Sequence, residues 1–74
     1  MNNDKLKDTV SVFVNILEYE SKQIDKSLID SKVLYTYLEM PKAKQNDMKK
    51  LVPFIFDVDP YEVKVALYKH YGFI

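Results

Sequence analysis

Apolar residues along this chain recur at three- and four-residue intervals, the rhythm of helices half-buried on a core, and sustained alternation is absent. Leu6, Val10, Phe13, Val14 and Leu17 keep that rhythm. They predict a first helix from about Asp4 to Ser21, with Asn3 or Asp4 as its N-cap. A second stripe, Val12, Ile16 and Tyr19, runs beside the first. Together the two cover well over half the circumference of the helix. The first helix is therefore expected either to sit among several neighbours or to offer Val12, Ile16 and Tyr19 for self-association.

The second helix is predicted from Ser27, where "SLID" resembles a capping box, to just before Pro41, because a residue preceding proline disfavours the helical region. Ile29, Val33, Leu34, Tyr37 and Leu38 form its expected apolar face, although "VLYTY" also has strand propensity. Met48, Leu51, Val52 and Ile55 mark a third helix with Asn46 as a cap. Pro53 falls too deep in it for the first turn, so a kink or an end near Val52 is expected, followed by an irregular "PFIF". The fourth helix has a signal at each end. Asp59 reads as N-cap, Pro60 as the first helical residue and Glu62 as the capping-box partner. Gly72 suits the left-handed residue past the end, with Phe73 packing back on Tyr68. Val63, Ala66, Leu67 and His70 are its expected inward stripe.

These elements predict an all-α fold, a small four-helix orthogonal domain spanning residues 1–74. At 74 residues a single core is marginal. Hydrophobic residues make up 47% of the chain and its net charge is zero, which argues against disorder. No apolar run is long enough to suggest a membrane span, and "MNNDKLKD" contains acids where an export signal would be apolar. A cytoplasmic protein is expected. The eleven basic residues are all lysine, a usage that fits AT-rich coding, as in some bacteria and their phages.

The chemistry of catalysis is hard to assemble from this residue set. Cysteine is absent, which removes disulfides and thiolate ligands. The one histidine, His70, lies on the expected inward stripe and reads as a packing residue. Asp57 and Asp59 form a D-x-D pair, but a calcium loop needs further oxygen ligands and a glycine at its turn. One glycine in the whole chain leaves no phosphate-binding loop. No enzyme activity, cofactor or metal site is expected.

"KKLVPFIFDVDPYEVKVAL" resembles a helix-turn-helix in its spacing, with Val52, Phe56, Val58, Val63 and Ala66 at the motif's apolar positions. The resemblance covers about a quarter of the chain. It implies a small DNA-binding regulator, dimeric through Val12, Ile16 and Tyr19. Pro53 and Asp57 depart from the motif, and a DNA-binding domain is normally basic. Residues 41–74 hold six lysines and four acids. The outward face of the fourth helix carries Tyr61, Val65 and Tyr68, flanked by Lys64 and Lys69. A tyrosine-rich apolar stripe with a cationic rim suits a protein interface better than base reading. The expected function is a small regulator or inhibitor, of the kind phages and mobile elements encode, that binds a protein with an acidic or mixed surface. DNA binding is the alternative, and either a monomer or a homodimer is compatible with these features.

Overall fold

The computed structural model describes the backbone of residues 2–74 and the side chains from Asp4 onward. Four helices follow in order: α1 (Asn2–Glu20), α2 (Lys26–Leu34), α3 (Lys42–Leu51) and α4 (Pro60–His70). A π-helical turn, Tyr35–Glu39, continues α2, and a 3₁₀ turn, Ile55–Asp57, lies between α3 and α4. No strand occurs among the described residues, so the all-α expectation holds. The radius of gyration is 11.8 Å, close to the ~11 Å of a compact chain this long.

The core is built across distant elements. Phe13 and Leu17 enter it from α1, Ile29 and Val33 from α2, Val63 and Leu67 from α4, and Ile55 from the 3₁₀ turn. Helix α4 packs on α2 and α1, and α1 also meets the 3₁₀ turn. Helix α3 contributes no fully buried residue. The close packing of the last two helices that a helix-turn-helix implies is not among the main contacts of α4, which are with α2 and α1. Pro53 supplies the reason. It ends α3 at Leu51, and the connection to Pro60 is long enough to take the 3₁₀ turn, placing Ile55 rather than α3 in the core. "PFIF" forms no strand.

The ends of α4 follow local chain chemistry. Asp59 accepts a hydrogen bond from the Tyr61 N–H at 2.9 Å. Gly72 has φ +79°, and the Phe73 N–H reaches the Tyr68 carbonyl at 2.8 Å while Gly72 N–H reaches Lys69 at 3.2 Å. That is a Schellman ending, and the Phe73 ring meets Tyr68 edge-on at 6.3 Å. Glu62 does not return the capping-box bond to Asp59.

Other boundaries differ from expectation. Asp25, not Ser27, caps α2, its carboxylate accepting from Leu28 N–H at 2.8 Å. Replacing Asp25 with alanine is expected to cost about 0.5–2 kcal/mol in chemical denaturation, while Ser27→Ala stays within about 0.5 kcal/mol. Helix α3 starts at Lys42 rather than near Asn46. Its first turn is tied down by Gln45, whose side-chain amide donates to the Met40 carbonyl at 2.8 Å. Helix α1 begins at Asn2, which puts Asp4 within its first turn. The Asn3 side chain expected as its cap lies outside the described residues.

The largest correction concerns the rotation of α2. Its buried line is Ile29, Val33, Thr36 and Met40, whereas Leu34 and Leu38, expected in the core, are exposed. The π-helical turn and Tyr37 set this orientation. The Tyr37 hydroxyl donates to the Ile55 carbonyl. Its ring stacks on Phe13 at 6.3 Å and meets Phe56 edge-on at 5.7 Å. Satisfying a backbone carbonyl of the 3₁₀ turn with this one side chain fixes which flank of α2 faces in. His70 is corrected as well. It lies exposed at the last turn of α4, edge-on to Tyr71, with Leu67 the last buried residue of that helix.

Candidate functional site

Among the described residues seven large hydrophobic side chains are exposed, and five of them, Leu34, Tyr35, Leu38, Leu51 and Tyr61, line the grooves beside α2 and the π-helical turn. Leu38 is 70% exposed, Leu51 82% and Tyr61 69%. Burying one such side chain is worth roughly 1.5–3 kcal/mol, so this side of the molecule leaves a substantial driving force unused. Exposed apolar side chains gathered in grooves mark interaction sites.

Two shallow grooves organise the surface. Between α2 and α4, Val33, Pro60, Leu34, Leu38 and Tyr61 line the first groove. Between the π-helical turn and α3, Tyr35, Met40, Met48 and Leu51 line a second groove, with Lys44 and Asp47 on its edge. Leu34 of α2 lines the first groove, and Tyr35, the next residue along the chain, lines the second. Within the π-helical turn Tyr35 and Leu38 are exposed while Thr36 is buried. Such turns recur at functional positions in helices.

The polar end of the first groove is a clamp between α2 and α4. Tyr68 donates its hydroxyl to Asp30, Lys64 pairs with the same carboxylate at 3.4 Å, and the Lys26 ammonium lies 5.7 Å from the centre of the Tyr68 ring. The hydrogen bond to Asp30 chiefly, then burial and the carboxylate charge, push the Tyr68 phenol up to about 12. Burial pushes the Tyr37 phenol up further. Burial raises Tyr71 too, with the neighbouring Glu18 carboxylate adding to it. A pKa raised by folding means that stability is intact below the unfolded tyrosine value near 10 and is lost as pH climbs through the folded values. Tyrosinate absorbance followed together with circular dichroism is expected to show a late ionising class that appears with loss of helix above pH ~10. Complete ionisation of all tyrosines near pH 10 with the helices intact would contradict these environments.

The sequence-predicted stripe divides over this surface. Tyr61 belongs to the α2–α4 groove and also to a neighbouring groove between α1 and α4, where it meets Val65, Lys69, Leu6 and Ala66. Lys64 is engaged with Asp30. Tyr68 is turned inward, half-buried against the core, and so is not part of an outward stripe. Of the self-association residues, Val12 packs against the core and Ile16 is half-buried, whereas Tyr19 is 92% exposed. Sequence reasoning missed Leu34, Tyr35, Leu38 and Leu51 as surface residues. For the residues of α2 and its π-helical turn the one available signal was the width of the apolar arc, too broad for a single buried face; Leu51 on α3 carried none.

Among the described residues no three His, Cys, Asp or Glu side chains gather as a metal ligand set, and no helix is long and apolar enough to cross a membrane. No family model, curated protein or solved structure matches this chain.

Proposed function

We propose that this chain is a non-enzymatic interaction domain that docks another protein on the outer face of α2, with Tyr61 as the contribution of α4. The observation that carries this reading is the gathering of Leu34, Tyr35, Leu38, Leu51 and Tyr61 around two adjacent grooves, when single scattered apolar residues would need no explanation. Leucine and tyrosine walls over a rigid helical frame suit an apolar anchor from a partner, with the surrounding lysines and acids forming a polar rim.

The test is affinity capture from the lysate of the source cell, with and without nuclease, using the wild-type chain and the Leu34→Ser/Leu38→Ser variant. A nuclease-resistant protein retained by the wild type and by a Tyr19→Ala control, but lost by the double variant, is the expected result. Capture that is indifferent to Leu34 and Leu38, or recovery of nucleic acid alone, would overturn it.

A further inference from the structure

Helix α3 is a surplus element by the criterion of the core, since none of its residues is fully buried. It nevertheless carries four lysines, Lys42, Lys44, Lys49 and Lys50, against the single acid Asp47. The three ion pairs among the described residues are Lys5–Asp57, Lys32–Glu20 and Lys64–Asp30. None of the α3 lysines takes part in one, and all four are exposed. Lys49 rests over the Phe56 ring at 5.6 Å, a cation–π contact that leaves its charge uncompensated. The chain as a whole is neutral, so α3, with four lysines to one acid, is a net-positive segment on an otherwise net-negative chain. Lys44 and Leu51 line the same groove. Lys44, with Asp47 in the same groove, thus borders the exposed apolar surface directly.

From this charge distribution we infer the chemistry of the partner segment: an acidic amphipathic helix, lying across α2 with an apolar anchor in each groove and its carboxylates facing α3. The inference rests on the docking role proposed above. The two grooves flank one helix, so their anchors are separated by about a helix diameter, ~10 Å. A partner helix spans that distance between positions i and i+7 at 1.5 Å per residue, the spacing of helix-in-groove recognition. Carboxylates over exposed lysines set orientation and association rate more than total affinity, and their effect weakens with salt. Nucleic acid fits less well. Three of the five exposed side chains are leucines, which offer bases no π-face to stack on. The chain also has no arginine for bidentate phosphate or guanine contacts.

Three synthetic helical peptides test the proposal. They share Leu and Phe anchors at i, i+3 and i+7, and their remaining positions are glutamate-rich, glutamine-rich or lysine-rich. Fluorescence anisotropy is expected to show the glutamate peptide binding at least tenfold tighter than the glutamine peptide at low salt, with no binding of the lysine peptide. The glutamate advantage should vanish in Lys44→Gln/Lys50→Gln, whose melting is expected to match wild type because both side chains are exposed, and in 0.5 M salt. Leu38→Ser should weaken both the glutamate and glutamine peptides. Equal affinity for those two, both lost with Leu38→Ser, would overturn the acidic partner and leave apolar docking standing. Binding of none of the peptides would overturn the inference. So would tighter, lysine-dependent binding of a single-stranded DNA 20-mer, or sedimentation as a dimer that loses its association on Leu38→Ser. The lysate capture described above separately decides whether docking itself is wrong.

Discussion

Tyr37→Ala is expected to lower the unfolding free energy by about 3 kcal/mol, near the lower end for a lost core aromatic, because the Tyr37 side chain is only half-buried. A domain of 74 residues has roughly 4–11 kcal/mol to lose, so the variant should be close to its threshold at ambient temperature. The cost comes from two sources that a second variant separates. Tyr37→Phe keeps the stacking on Phe13 and the edge contact with Phe56, but leaves the Ile55 carbonyl without the hydroxyl that donates to it. An unsatisfied buried acceptor costs about 1–3 kcal/mol. Urea denaturation measures both. A Tyr37→Phe variant as stable as wild type would show that the hydroxyl does not set the rotation of α2.

The second large effect should appear in binding and leave folding alone. Leu34→Ser and Leu38→Ser remove side chains that the fold leaves exposed, so each is expected to change stability by less than about 0.5 kcal/mol. Partner affinity should fall by about 2 kcal/mol or more if they fill the centre of the interface, a loss of roughly thirtyfold. Leu67→Ala is the useful contrast, since its side chain is wholly buried and about 2–5 kcal/mol of folding stability should go with it. Two tyrosines of α4 divide the same way in thermal melts. Tyr61→Ala should melt like wild type, and Tyr68→Ala should melt lower because it removes the bond to Asp30 and the contact with Phe73. Normal melting of a Leu67→Ala chain, or a collapsed melt for Leu38→Ser, would contradict this assignment of core and surface.

The same particulars show what was readable in advance. The helices were legible because each rests on interactions a few residues long. Asp59 and Pro60 start α4, and Gly72 and Phe73 end it, through bonds to Tyr61, Lys69 and Tyr68. Pro53 ends α3 by its own ring geometry. Apolar periodicity likewise identified most of the core, including Phe13, Leu17, Ile29, Val33, Val63 and Leu67. The cap of α2 was misplaced by two residues because Asp25 and Ser27 are both good caps, and propensity alone does not rank them.

Periodicity states that a stripe is apolar, but not which neighbour covers it. Leu34 and Leu38 were as eligible for the core as Thr36 and Met40. What excluded them was the bond from Tyr37 to Ile55, 18 residues along the chain. Tyr68 looked as outward as Tyr61 until it met Asp30, 38 residues away. The sequence by itself determined the fold class, the positions of the helices and most of the buried set, because those follow from local backbone chemistry and the period of the helix. Only the tertiary structure decided how each helix is rotated, and so which leucines and tyrosines are left facing a partner. That choice is made by contacts between residues far apart in the chain, which no local pattern encodes.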